Sequence, residues 1–372
     1  MGRGFTIDKR FLIKSSMTAL SIILALVVGA IIISASGTDP LKAYGYLISG
    51  ALGDQRAVSE TLVRAIPLIF SGLAFTFSLR CGIFNMGVEG QFLIGAMGSA
   101  ACLMYMNEGT TNSVAAVLLS LAGGTAAGCL WGCIPGLLKA CFRANEIIIS
   151  WFLNYIAMHL ANFLYSGPLM QTDGVEPKTA LVPESFQLAK IVPWTRLHSG
   201  LIIVIVVAVL VHYFLFYTSM GMQCRAVGLN PVASKTNGMS VKRIALLAFI
   251  VSSAISGLGG AVELHGVQFR VQNGFGGGYG FDGISIALIG QLTPVGTIIV
   301  ALGFAVLRAG SGTMQAATSL PSSIVDIIMA LVILFVIMSV AINNLPLLKN
   351  FYQRMKSDVF LDLARLRLRR TK

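Results

Sequence analysis

Gly82-Ile83-Phe84-Asn85-Met86-Gly87-Val88-Glu89-Gly90-Gln91-Phe92-Leu93-Ile94-Gly95 breaks an apolar run with glycines and three polar side chains, then resumes it. A shorter version of the pattern returns as Gly280-Phe281-Asp282-Gly283-Ile284-Ser285-Ile286-Ala287-Leu288-Ile289-Gly290. What these breaks mean depends on the solvent around them. The 372 residues are 55% hydrophobic and only 11% charged, with a mean hydropathy of +0.80. A water-soluble domain carries roughly 25% Asp, Glu, Lys and Arg. Too little charge is present to cover a surface facing water, so the solvent is lipid and the chain is an integral, all-α polytopic membrane protein. Disordered, collagen-like and disulfide-scaffold classes are excluded by the same composition. A helix broken inside a bilayer is tolerated only where protein or a water-filled cavity satisfies its free backbone groups.

A membrane-crossing helix needs about 20 mostly apolar residues. Runs at 17–35, 57–79, 88–106, 113–138, 145–165, 199–218, 241–264 and 322–344 qualify. The stretch 282–310 is interrupted by Gln291, Thr293, Pro294 and Gly296 and predicts two short helices meeting at a break. The total is about ten transmembrane segments. The run from Met17 is long enough to span and lacks a convincing cleavage site, so no signal peptide is expected. With the N-terminus inside, 19 of the 27 Lys and Arg residues fall on the inner side and 6 on the outer, Arg64 and Arg308 lying within apolar runs. That asymmetry predicts two cytoplasmic termini. Residues 1–16 then form a basic N-terminus, 17–345 the transmembrane domain and 346–372 a basic tail. The net charge of +12 reads as topology and attraction to lipid headgroups, with no nucleic-acid partner, because the basic residues flank apolar runs.

The segments 60–165 and 241–340 share an order of features: a span, a glycine-rich polar break, a short apolar helix, then a polar helix start at Asn145-Glu146 or Ser323 to Asp326. The first begins outside and the second inside, so the expectation is an inverted internal repeat, a transporter feature whose substrate path runs between the halves. Candidate path residues are Asn85, Glu89, Gln91, Asn154, Tyr155 and Asp282. Each has a structural alternative. Asn85 and Glu89 can cap the free amides of a broken helix, Asp282 can cap the helix after the glycine run 274–280, and Tyr155 can form a packed polar pair with His159, four residues on. Asn145 and Glu146 read as an N-cap and a helix-dipole partner. Glu89, Glu263 and Asp282 are also the residues a proton- or sodium-coupled carrier would use. Cys129-x-x-x-Cys133 has neither zinc nor redox spacing. The run Gly274–Gly280 lacks the GK[ST] ending of a phosphate loop, and no HExxH or GxSxG occurs, so neither an enzyme nor an internal energy source is expected.

Between the sixth and seventh runs, residues 221–240 place Asn230-Pro231 at a helix start and Gly238 at its end, predicting about two turns at the membrane surface. Such a helix suits another protein's groove or serves as an ordinary amphipathic connector. Here the residues resemble a known family. Phe84-Asn85-Met86-Gly87-Val88-Glu89-Gly90-Gln91, Asn145-Glu146 through Leu153-Asn154-Tyr155-Ile156, Arg225-Ala226-Val227-Gly228-Leu229-Asn230-Pro231 and Gly280-Phe281-Asp282-Gly283-Ile284 are similar to the permease subunits of bacterial ABC importers. Within these they resemble the branched-chain amino acid/ribose-type superfamily and its nucleoside (basic membrane protein-associated) branch, over about 60–345. Cys81 and Met86 stand where that family more often has Gly and Ile. The resemblance implies a type II-like permease in the bacterial plasma (inner) membrane. It also implies a coupling role for Arg225, Gly228, Asn230, Pro231, Ala233 and Gly238, docking to a cytoplasmic ATP-binding subunit that holds the ATP and magnesium. A second, paralogous permease and an extracytoplasmic substrate-binding lipoprotein complete the implied assembly. Nucleosides are the expected cargo, with ribose-like sugars the nearest alternative and an ion-coupled carrier the rival class.

Overall fold

The computed structural model describes residues 23–106, 113–171 and 176–318, and isolated positions from 321 to 338. The basic segment 1–16, residues 17–22 of the first run, the tail 346–372 and much of 322–344 lie outside the described residues. Among the described residues the regular structure is helical: α1 (Ile23–Ala35), α2 (Pro40–Leu52), α3 (Gln55–Arg80), α4 (Val88–Leu103), α5 (Ser113–Phe142), α6 (Glu146–Ser166), α7 (Gly200–Tyr217), α8 (Ser219–Leu229), α9 (Pro231–Thr236), α10 (Val241–Glu263), α11 (Tyr279–Ile289) and α12 (Pro294–Thr318). Isolated β-bridges join Met170 to Thr179, Lys178 to Gln272 and Lys190 to His198. Six helices, α3, α5, α6, α7, α10 and α12, are long and apolar enough to cross a membrane, and α1 with α2 makes a seventh if the broken pair is one span. α4 and α11 are apolar but short. The chain is therefore a multi-pass membrane protein, with six or seven full-length candidates among the described residues.

Local chemistry explains the boundaries. Asp54 accepts from Ala57 N at 2.6 Å and opens α3; Asn145 accepts from Ile147 N and Ile148 N and opens α6. α3 ends where Gly82 turns left-handed (φ +76°), with Ile83 N bonded back to Ser78 O. Three features depart from the expectations. The chain around Lys42, between the runs 17–35 and 57–79, is the helix α2: Pro40 opens it and Asp39 accepts from Leu41 N at 2.9 Å. The break inside 282–310 falls at 290–293, yet only α11 is short. α12 runs 25 residues, because the polar Ser311, Thr313 and Gln315 end the hydropathy signal without ending backbone hydrogen bonding; Ser311 Oγ donates to Arg308 O at 2.8 Å. The segment 221–240, read as a loop with one helix, contains the end of α8 as well as α9.

Tyr44–Ala317 forms one compact unit; the described residues before it belong to another, in which Ala25 and Ile33 of α1 are fully buried. Within the larger unit α10 packs against α3, α4 and α5. The α5–α10 contact is built on small residues: Gly124, Gly128 and Gly132 on α5 face Ala261, Gly257 and Ser253 on α10, and a Cβ on Gly128 would lie 2.7 Å from Gly257 Cα. Close backbone approach of this kind drives helix association in lipid, where no hydrophobic effect operates between helices. α10 ends in a π turn, Leu264–Gln268, and the buried His265 in it reaches three other parts of the chain. Its Nδ1–H donates to Phe186 O at 2.8 Å, leaving Nε2 to accept from Ser120 Oγ (2.8 Å) and Ser99 Oγ (3.1 Å). The outward faces stay apolar: Ile202, Val206, Val209 and Leu210 of α7 are exposed, as a lipid-facing helix requires.

Gly128→Val is expected to destabilise the α5–α10 pair by about 1–3 kcal/mol through overpacking. Gly303→Ala, whose new Cβ would meet nothing within 4 Å, is expected to be neutral. Thermal unfolding of the two variants in the same detergent checks the contrast.

Candidate translocation site

The N-terminal ends of the two short helices meet. α4 begins after the first sequence break and has no side-chain cap of its own at Gly87. Its free backbone groups are satisfied from outside. Asn154 of α6 accepts from Gly90 N at 2.9 Å and donates to Met86 O at 2.7 Å, and Ser150 Oγ accepts from Met86 N at 3.0 Å. Asn85 Oδ1 accepts from Gly87 N (3.1 Å) and Gln91 Nε2 (3.1 Å), while its Nδ2 donates to Gln91 Oε1 (2.9 Å) and Ser252 Oγ of α10 (2.8 Å). This side-chain mesh, all but sealed from solvent, replaces the missing turn of helix.

Glu89 faces the other way. Its Oε2 accepts from Gly280 N at 2.6 Å and its Oε1 from Gly278 N at 3.3 Å, so a carboxylate in the first turn of α4 caps the start of α11. From the opposite side Arg308 of α12 pairs with Asp282 at 2.6 Å, donates to Gly277 O at 3.3 Å, and lies 4.9 Å over the Tyr279 ring. The glycine run before α11 is thus gripped between an acidic and a basic side chain.

Beside this grip opens a cavity of about 670 Å³, lined by Glu89, Tyr155, His159, Asn162, Gln272, Asn273, Phe281 and the backbone of 274–278, among others. Of its aromatic residues Tyr155, 49% exposed, and Phe281, 39% exposed, present open faces, whereas Tyr165 and Phe275 are buried; the two open rings both contact Trp151, at 6.3 and 5.6 Å between centroids. The lining therefore offers flat apolar faces beside amide and imidazole hydrogen-bonding groups, with one carboxylate at the edge.

The predicted site residues divide. Glu89 and Tyr155 line the cavity. Asn85, Gln91 and Asn154 do not; they satisfy the broken helix, the alternative given above for Asn85. Asp282 also lies outside the lining, where Arg308 engages it. Asn162, Gln272 and Asn273 were not anticipated. Asn162 follows Tyr155 by seven residues and His159 by three, a spacing on one helix face that offered a usable signal; Gln272 and Asn273 sit in a loop with no periodicity to betray them.

The second predicted cluster lies elsewhere in the same unit. Asn230 Oδ1 accepts from Val232 N (3.1 Å) and Ala233 N (3.0 Å), with Pro231 in the first turn and Gly238 left-handed just past the end. α9 is exposed except at Ser234; the apolar Val232 projects from it at 74% exposure, and Leu229, the last residue of α8, is 88% exposed beside it. α8 is the docked part. Arg225 lies over Phe216 at 5.1 Å, and Gly228 lies so close to the end of α3 that a Cβ there would sit 2.9 Å from Gly82 N.

This arrangement has relatives. The guanosine ABC transporter permease protein NupP of Bacillus subtilis is 39% identical over 87% of this chain and 93% of its own length. The glucose ABC transporter permease protein TsgB13 of Haloferax volcanii is 35% identical over 86% of each chain. The nucleoside ABC transporter permease protein NupB of Lactococcus lactis is 32% identical over 87% of this chain and 90% of its own. No solved structure is significantly similar. Residues 57–337, which carry both short helices, the cavity and α8–α9, match the family of permease components of branched-chain amino acid transport systems, and the chain belongs to that family.

Proposed function

We propose that the chain is the membrane-spanning permease subunit of an ATP-driven importer and forms the passage for nucleosides. The observation that carries the proposal is the cavity where the two short helices meet: Tyr155 and Phe281 offer stacking faces beside His159, Asn162 and Gln272. A nucleoside needs both kinds of contact, since a base stacks on aromatic rings while its edge and its ribose seek hydrogen bonds. Two of the three relatives named above are guanosine or nucleoside permeases. The glucose permease among them keeps simple sugars as the second reading; a sugar uses the polar groups but leaves two adjacent aromatic faces without a planar partner. An ion-coupled carrier draws no support from the acidic residues, because Glu89 is held by amides, Asp282 by Arg308, and Glu263 accepts from Gln268 at 3.2 Å.

In this reading both termini face the cytoplasm of a bacterial cell, as the distribution of Lys and Arg favours. The transmembrane domain extends over 17–345 between the basic N-terminus 1–16 and the tail 346–372. α4 and α11, short helices that start at corresponding breaks, support an inverted pair of repeats at about 60–165 and 241–340, and about ten membrane segments in all. Leu229, Val232 and α9 dock into a groove of an ATP-binding subunit, which supplies ATP, magnesium and the catalysis. A second, paralogous permease faces the first, and a substrate-binding lipoprotein delivers cargo from outside. Closure of the ATP-binding subunits displaces α8–α9, and the two repeats rock about the meeting point of α4 and α11.

Uptake into proteoliposomes holding the complete complex tests the cargo. Unlabelled adenosine or guanosine in hundredfold excess is expected to block guanosine uptake while glucose and ribose do not; the reverse pattern makes the cargo a sugar. Tyr155→Ala and Phe281→Ala are each expected to lower uptake about tenfold, from the roughly 1–3 kcal/mol of one base–aromatic stack, with complex assembly unchanged. Val232→Asp combined with Leu229→Asp is expected to abolish co-purification of the ATP-binding subunit, because it places charge in an apolar docking groove.

A further inference from the structure

α3 ends on Arg80, whose guanidinium crosses to the turn between α11 and α12. Its Nε donates to Leu292 O at 2.6 Å and its Nη2 to Gln291 O at 3.2 Å. These are the two residues of that turn in the left-handed region, at φ +53° and +55°, and neither is glycine. Left-handed non-glycine residues are strained and persist only where their surroundings hold them. Arg80 supplies that hold with charge-assisted bonds to both carbonyls. Nearby, Thr76 and Thr297 share a hydrogen bond of 2.7 Å, a second tie between α3 and α12.

The other side of Arg80 meets the α7–α8 corner. Its guanidinium lies 5.6 Å over Phe216, a ring that Arg225 of α8 also approaches, and one turn back Phe77 meets Phe214 at 5.6 Å. With the Gly82–Gly228 contact, these make an unbroken line of packing from α8, through the end of α3, to the turn that closes α11. At its opposite end α11 is gripped by Glu89 and Arg308 beside the cavity. An element eleven residues long is thus held at both tips, one tip toward α8 and the other toward the proposed cargo.

We infer that Arg80 is a positioning residue for transport: it carries displacement of α8–α9 to α11 and so to the cavity wall. The inference rests on the importer reading above. The test uses the full complex, with ATP-binding subunits and binding protein, in proteoliposomes. Co-purification, basal ATPase activity and guanosine uptake per ATP hydrolysed are measured for the unaltered chain, Arg80→Gln and Arg80→Lys. Arg80→Gln is expected to assemble and to keep basal ATPase within twofold, while uptake per ATP falls at least tenfold. Arg80→Lys, which retains the charge and one donor, is expected to fall only two- to fivefold. Unchanged uptake per ATP in an assembled Arg80→Gln complex overturns the inference. If Arg80→Gln does not assemble, Arg80→Lys decides: the stated fall supports the inference, and a ratio equal to the unaltered chain overturns it. An unaltered complex without ATP-dependent uptake of nucleoside or sugar overturns the importer reading itself, and the inference with it.

Discussion

Every backbone amide and carbonyl inside a bilayer must find a partner in the protein, and two helices that begin within the fold make that demand acute. Their solutions are linked. The start of α4 is satisfied by Asn154, Ser150 and the Asn85–Gln91 pair, and this support holds Glu89 in place to satisfy the start of α11. The glycine run before α11 presses against α4, and Arg308 closes it from behind. These charges are tolerable because each is matched: the buried Glu89 by the Gly278 and Gly280 amides, and the half-buried Asp282 by Arg308. The cavity exists where it does because backbone released from helical bonding gathers there.

Much of this was legible from residue order, and the legible parts have a common physical basis. Breaks, caps and spans are local: Asn85 and Glu89 beside glycines, Asn145 before Glu146, and Asn230 before Pro231 declare themselves within a few residues. What stayed hidden depends on the approach of distant parts. Arg308 reads as an oddity in an apolar run until Asp282, 26 positions earlier, is found beside it. Asn85, Gln91 and Asn154 were sensed as important polar groups in the membrane, but whether each would brace a broken helix or front a cavity depends on which neighbour supplies its partner. The stripe Gly124, Gly128, Gly132 is a local pattern, yet its meaning required α10 to be seen lying across it. α2 and the far half of α12 escaped because hydropathy measures what a helix is made of and not where its hydrogen bonds stop.

The importer reading bears on how α8 and α9 are built. α9 presents the apolar Val232 beside Leu229, whereas α8 immediately before it is locked onto the core through Phe216 and the Gly82–Gly228 contact. In that reading a docking surface that moved freely would absorb the work of a partner, and one rooted this closely would transmit it.

The clasp of Glu89 on α11 also bears on how such a chain is made. Gly278 and Gly280 lie 189 and 191 residues after Glu89, so during synthesis the carboxylate enters the membrane region long before its amides exist. At 16 and 11 residues, α4 and α11 are both too short to cross a bilayer alone. The clasp is therefore a late event of assembly: until the second half is made, the Glu89 carboxylate must find other partners, in water or in the insertion machinery.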